Sequence, residues 1–187
     1  MKLIVCAGRS RSGSTLLYNM VRLTVQTIKG KVYARSHRHF KKSNNNKFQI
    51  TKIHDYDRYF YNNANYVFTC HRDEKDQRKS IINFRKQIKN KTLSEKELNE
   101  FIKYDLRRYK KWKQNTNFSH DFSFDRLVND KIGCIKKICK VLGFNPNDNQ
   151  IDKIIKSLNE IKMPDKKYDP ETCMTYNHYT SKGFKNE

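Results

Sequence analysis

Between Val5 and Leu17 the chain reads VCAGRSRSGSTLL, which keeps the glycine spacing of a phosphate-binding loop and lacks its lysine. Gly8 and Gly13 fit the GxxxxG frame, Thr15 stands where such a loop carries its hydroxyl, and Ser14 occupies the lysine position. In a nucleotide hydrolase that lysine reaches the β and γ phosphates while the hydroxyl holds magnesium, so a serine there argues against γ-phosphoryl transfer. The frame suits a phosphate-like anion that has no γ phosphate. Arg11, inside the loop, supplies positive charge beside backbone N–H groups that converge on an anion at a helix N-terminus.

Such a loop needs a strand before it and a helix after it. Lys2 to Ala7 is a short apolar run that reads as a buried strand. From Ser14 to Ile28 the pattern is helical, with Leu16, Leu17, Met20, Val21 and Leu23 to Val25 giving a wide apolar face. Taken alone the segment also suits an ordinary glycine- and serine-rich turn; the flanking elements favour the anion-binding reading. Further strands are expected at Val32 to Arg35, Phe48 to Ile53 and Asn65 to Cys70, with a polar stretch KKSNNNK (Lys41 to Lys47) between the first two. A helix starts near Asp73 and runs through Ile81, Ile82 and Phe84. Ser94 with Glu97 forms a capping box that opens a long helix, with Leu98, Phe101, Ile102, Leu106 and Tyr109 on one face and a strongly basic opposite face. A short strand at Phe122 to Phe124 precedes two helices, one carrying Ile135, Ile138 and Leu142 and the other Ile151, Ile154, Ile155, Leu158 and Ile161, with Gly143 as the stop between them. The βα alternation predicts an α/β fold: three layers, α/β/α, around a mainly parallel central sheet, of the phosphate-loop nucleoside triphosphate hydrolase type.

With 187 residues and 36% hydrophobic content the chain reads as one domain over 1–187. Its 40 Lys plus Arg against 19 Asp plus Glu give a formal charge of +21, which favours anionic partners without choosing among nucleotides, nucleic acid and acidic polymers. Cys6, Cys70, Cys134, Cys139 and Cys173 are scattered, odd in number and lack a CxxC pair, so they read as small buried hydrophobes of a reducing compartment. No secretory segment opens the sequence and no apolar stretch is long enough to cross a bilayer, so a soluble, cytoplasmic protein is expected.

Three further motifs accompany the loop: TKIH (Thr51 to His54), HRDEKDQRKSIINF (His71 to Phe84) and HYTSKG (His178 to Gly183). Together with RSGSTLL they resemble, in order and spacing, the sulfotransferases that use 3′-phosphoadenosine 5′-phosphosulfate (PAPS). The resemblance implies a 5′-phosphosulfate loop at Arg11, Ser12, Gly13, Ser14, Thr15 and Leu16. It implies His54 as catalytic base and Lys52 as a contact to the sulfuryl group, from the family's Lys-x-His at a strand end. Arg72 and Ser80, eight positions apart as in that family, are the implied 3′-phosphate ligands, and Lys182 and Gly183 resemble the late element that closes over the same phosphate. FSFDRLVND (Phe122 to Asp130), a helix, Leu-Gly-Phe and another helix resemble the family's distal half.

The resemblance also implies PAPS as co-substrate, no metal, and in-line transfer of a sulfuryl group to a hydroxyl or amine with release of 3′-phosphoadenosine 5′-phosphate (PAP). Arg11 with the loop amides is expected at one end of this polyanion, where Arg11, Lys52 and the amides would stabilise the charge on the leaving oxygen as catalytic groups, and Arg72 with Ser80 at the other. His37 and His39 in a basic loop are candidates for the acceptor site, Asp55 is a second candidate base, and His71, His120 and His178 read as structural. Leu16 replaces the tryptophan that stacks on adenine in many soluble members; Tyr176 and Tyr179 are the substitutes considered. The acceptor is open among an acidic glycan, a tyrosine peptide and a small alcohol, and oligomeric state is open too. Two other readings stand: a nucleotide or small-molecule kinase with a degenerate loop, which requires magnesium-dependent ATP binding, and a basic nucleic-acid-binding protein, which requires steep salt dependence.

Overall fold

In the first strand, β1 (Lys2–Ala7), side chains alternate between two cores, as the period of two of an extended chain demands. Ile4 and Cys6 face one apolar cluster, and Leu3, Val5 and Ala7 face the other. A strand buried on both faces reads as a continuous apolar run, which is why this segment stands out in the sequence. The structure is a computed structural model that describes residues 1–41, 46–89, 92–162 and 168–175.

Four more strands, β2 (Tyr33–Ser36), β3 (Phe48–Ile53), β4 (Tyr66–His71) and β5 (Phe118–Ser123), complete a five-stranded sheet in the order β2-β3-β1-β4-β5. Every neighbouring pair is parallel. The helices are α1 (Ser14–Lys29), α2 (Arg58–Asn63), α3 (Glu74–Lys89), α4 (Glu95–Lys113), α5 (Phe124–Asn129), α6 (Lys131–Leu142) and α7 (Asp148–Asn159). Residues of α1, α6 and α7 pack with Ile4, Cys6, Ile50, Phe68 and Phe122 on one face. Phe60 of α2 and Trp112 of α4 pack with Leu3, Val5, Ile53 and Val67 on the other. The result is the expected three-layer α/β/α architecture with a parallel central sheet.

The expected capping box is present: the Ser94 hydroxyl accepts from Glu97 N, and the Glu97 carboxylate accepts from Ser94 N at 2.8 Å. Gly143 ends α6 in the left-handed region, φ 70°. Other expectations shift. The second and fourth strands move by one residue, and the fifth is Phe118–Ser123 rather than Phe122 to Phe124. Ser123 already caps α5, its Oγ accepting from Arg126 N at 3.2 Å, so Phe124 belongs to the helix. The buried positions of α4 are Leu98, Ile102, Asp105 and Trp112, a stripe rotated from the expected face, so Leu106 and Tyr109 are only half-buried. Unforeseen are α2, α5, a 3₁₀ turn at His37–His39 and an antiparallel hairpin of β6 (Tyr168–Asp169) and β7 (Met174–Thr175).

Candidate functional site

Because β1 is central and the chain moves to β2 and β3 on one side before returning to β4 on the other, the sheet changes direction at the carboxyl end of β1. That is where open α/β sheets bind ligands. The loop Gly8 to Gly13 sits there. A Cβ on Gly8 would fall 2.3 Å from Cys70 Sγ and 2.8 Å from Ser14 Cβ, so only glycine lets the loop pass between β4 and α1. Gly13 takes φ 81° and Arg11 takes φ 60°, both left-handed. Helix α1 begins at Ser14 with no side-chain cap and no acidic residue in its first turn, so no side chain of that turn offsets the positive end of its dipole.

Strand β3 ends beside this loop. Lys52 Nζ donates to Thr15 Oγ1 at 2.7 Å. Two residues on, His54 Nδ1 lies 2.8 Å from the Gly8 carbonyl oxygen and Nε2 lies 3.4 Å from Ser14 Oγ. A carbonyl only accepts, so Nδ1 carries the proton and Nε2 of the neutral ring keeps its lone pair, facing the first turn of α1. Burial, and then the Lys52 ammonium, pull the His54 pKa down to about 4, so the ring is neutral near pH 7. Burial also lowers the pKa of Lys52, and Arg11 adds to the effect.

Arg11 does not stay with the loop amides. Its left-handed backbone sends the guanidinium to α3, where Nε donates to Ser80 Oγ at 3.3 Å and Cζ lies 4.4 Å from the Phe84 ring centroid. Burial and the nearby Arg72 lower its pKa. Arg72 lies over the Phe124 ring at 4.1 Å, and its Nε is buried without a hydrogen-bond partner among the described residues. Among those residues no carboxylate pairs with either arginine. Arg11, expected apart from Arg72 and Ser80, is therefore brought to them. Two partly desolvated cations without a counter-charge among the described residues repel each other.

The sequence reading missed the carboxylate that holds the loop. Asp105, 2% exposed on α4, accepts from Ser10 N (3.1 Å), Ser10 Oγ (2.8 Å), Arg9 Nε (3.4 Å), Gln77 Nε2 (3.0 Å) and an Arg108 terminal nitrogen (3.0 Å). Gln77 also donates to the Ser10 carbonyl at 2.6 Å, so α3 and α4 grip the same loop residue. Arg108 reaches on to the Asp55 carboxylate, beside His54, and Trp112 Nε1 donates to the Asp55 carbonyl at 3.3 Å. The available signal was position: Asp105 lies three residues after Ile102 on the buried stripe of α4.

Of the remaining candidates, Ser12 is buried, with Oγ 3.5 Å from the Ser10 carbonyl. Leu16 is 1% exposed in the core cluster, so its side chain has no face for adenine. Asp55 is tied to Arg108. His37 is hydrogen-bonded to the Lys52 backbone, and burial lowers its pKa; His39 stacks on Tyr168. His71 Nδ1 is 2.9 Å from the Asp121 carboxylate and His120 packs edge-on to Phe122, both within the fold's framework. The five cysteines are free and buried. Lys182, Gly183, Tyr176, Tyr179 and His178 lie outside the described residues, as does most of the KKSNNNK stretch. Among the described residues no helix is long and apolar enough to cross a membrane, and no group of three or more His, Cys, Asp or Glu is placed to hold a metal ion.

The parallel sheet, its loop and the flanking helices define a sulfotransferase-type α/β fold. No protein-family model matches the chain, and no curated protein matches its sequence. Among solved structures it is similar to mouse sulfotransferase SULT7A1 complexed with PAP (TM-score 0.60, 15% identity, covering 97% of this chain and 73% of that one). It is also similar to retinol dehydratase in complex with retinol and PAP (TM-score 0.57, 12% identity, 84% of this chain). A third likeness is to retinol dehydratase with androsterone and the inactive cofactor PAP (TM-score 0.56, 12% identity, 83% of this chain). The chain spans just under two thirds of the length of retinol dehydratase, 64% and 63% in the two structures.

Proposed function

We propose that the chain is a PAPS-dependent sulfotransferase that moves a sulfuryl group to an acceptor hydroxyl or amine, with His54 as general base. The observation that carries this reading is the convergence, at the carboxyl edge of the sheet, of three groups of opposite purpose. They are a capless helix N-terminus, a neutral histidine with its lone pair turned to it, and two arginines without a counter-charge among the described residues. A sulfated nucleotide with phosphates at both ends fits them: the unpaired Arg72 Nε and the Arg11–Ser80 pair would hold the 3′-phosphate. Lys52 and the N–H groups at the start of α1 would hold the sulfuryl end. This moves Arg11 from the sulfuryl end, where the motif alone put it, to the 3′ end. When bound, PAPS supplies an electrophilic sulfuryl group and a phosphate leaving group.

The chain's own residues do the rest. His54 Nε2 accepts the proton of the attacking hydroxyl, and the Nδ1 bond to Gly8 fixes the ring and its tautomer. Lys52 and the loop amides stabilise the negative charge that builds on the departing oxygen.

The test is thermal unfolding with PAP and with Mg–ATP. PAP raises Tm and Mg–ATP does not; the reverse outcome would assign the loop to a kinase. His54→Ala should lower kcat by about 10²- to 10⁴-fold while the PAP-induced rise in Tm persists. Retained turnover removes His54 from the role of base.

A further inference from the structure

Resting on that sulfotransferase reading, we propose that Arg108 is a positioning residue for the general base: it ties Asp55, and so the backbone that carries His54, to the helix that also holds the phosphate loop. The imidazole is fixed on one side by the loop, Nδ1 donating to the Gly8 carbonyl oxygen at 2.8 Å. That bond orients the ring only if the chain behind it is held in step with the loop. Two residues of α4, four apart on one face, hold it. Arg108 donates to the Asp55 carboxylate, and Trp112 Nε1 donates to the Asp55 carbonyl oxygen at 3.3 Å.

The other terminal nitrogen of Arg108 donates to Asp105 Oδ1 at 3.0 Å, and Asp105 accepts from Ser10 N and Ser10 Oγ, two residues along the loop from Gly8. A closed circuit results, running from the His54 ring through Gly8, Ser10, Asp105, Arg108 and Asp55 back to His54. Arg108 is its most demanding member. A planar guanidinium reaches two carboxylates with separate nitrogens in fixed geometry, which the compact ammonium of a lysine does not match. The side chain is 11% exposed and lies 4.3 Å from the Tyr104 ring centroid, and its Nε is buried with no hydrogen-bond partner among the described residues. Its orientation is therefore set by the two carboxylates. The Asp55 side chain is 49% exposed, so water would satisfy it, and the fold gains little from so long a reach. The reaction gains more, because a displacement of about 1 Å costs about 10²-fold in rate. Arg108 also acts by charge. Of the charged groups facing the ring, Lys52 of β3 and Arg108 of α4 lower its pKa, and Asp105 of α4 raises it.

The experiment is two-bond proton–nitrogen NMR of the histidine rings in the full chain without ligand, which reports the tautomer and titration of His54 and needs no acceptor. The parent shows the Nδ1–H tautomer near pH 7. Arg108→Met and Asp55→Ala each give a mixture of tautomers, because the end of β3 is released from the loop, and the double variant is no more mixed than the more affected single one. The His54 midpoint rises in Arg108→Met and does not rise in Asp55→Ala, where the guanidinium remains. Arg108→Lys, which keeps the charge and loses the fork, gives the mixture with the midpoint in place, and decides the matter if Arg108→Met does not fold. An unmixed Nδ1–H pattern in the Arg108 variants or in Asp55→Ala overturns the proposal, as does mixing in the double variant that exceeds both singles. The PAP-induced rise in Tm is read on the same samples. Its persistence in Asp55→Ala supports the proposal and its loss there overturns it, whereas its absence from the parent is a different result and removes the sulfotransferase reading itself.

Discussion

Arg9 and Arg11 are the same residue type, two positions apart in one loop, and they do opposite things. Arg9 is 6% exposed and paired with Asp105, which also binds Ser10 and, through Gln77, ties the loop to α3. Arg11 is half-buried against Phe84 and Ser80 with Arg72 nearby and no carboxylate among the described residues. A buried cation with its counter-charge supports the fold; a partly buried cation without one waits for an anion. Charge pairing distinguishes framework from site more sharply here than residue type or depth.

That contrast breaks first at its strong end. Asp105→Ala leaves Arg9 with an uncompensated buried charge and Arg108 with Asp55 alone, and should destabilise the chain by about 3–5 kcal/mol in urea unfolding. Asp105→Asn, which keeps the shape and some of the bonds, should lose less. A stability indistinguishable from that of the parent for both variants would show that the loop is held by something other than Asp105.

The opposite end predicts the opposite profile. Arg72→Ala should weaken PAP binding about 10- to 100-fold by calorimetry, the worth of one charge-assisted contact. Without PAP its stability should hold or rise, because the repulsion with Arg11 is relieved. If Arg72→Ala unfolds the chain instead, it belongs with Arg9. Gly13→Ala probes the loop between them. It forces a side chain onto φ 81° and within 2.9 Å of Phe124 Cδ2, a cost of about 1–3 kcal/mol that unfolding would read; Arg11, two residues earlier, already bears the left-handed backbone.

The same contrast accounts for which parts of the molecule were legible in the sequence. Strands such as Lys2–Ala7 and Phe48–Ile53 were readable because burial on both faces writes an apolar run. β5 was displaced because its Ser119, His120 and Asp121 are polar, and Asp121 is satisfied by partners on other elements: Thr69 of β4 and Tyr109 and Lys113 of α4. The six-residue α2 offered only its cap, Asp57, as a signal. The glycine frame, Lys52, His54, Arg72 and Ser80 were readable as motifs, whereas the path of Arg11 depends on a positive φ that no residue type announces. Asp105 was hidden, one acid in a basic helix, because its partners Arg9 and Ser10 lie more than ninety residues away.

Lys52, hydrogen-bonded to Thr15, is a third cation with no carboxylate partner among the described residues, and its effect is measurable through its neighbour. His54 titrates from an ordinary 6.5 down to about 4, so between those values the unfolded chain binds a proton that the folded one refuses. Stability is therefore complete above about pH 6.5 and falls as pH drops toward 4; His37 and His120, lowered by burial, act in the same direction. For catalysis the sign is favourable: the base stays neutral, and the acid limb of kcat/KM should lie well below 6.5. Burial is the larger cause and survives Lys52→Met, but the ammonium's share does not. Histidine ring NMR should therefore show the His54 titration moving upward in that variant, by less than the full return to 6.5. A titration that stays put would mean that Lys52 is neutralised in the free protein and belongs, like Arg9, to the framework.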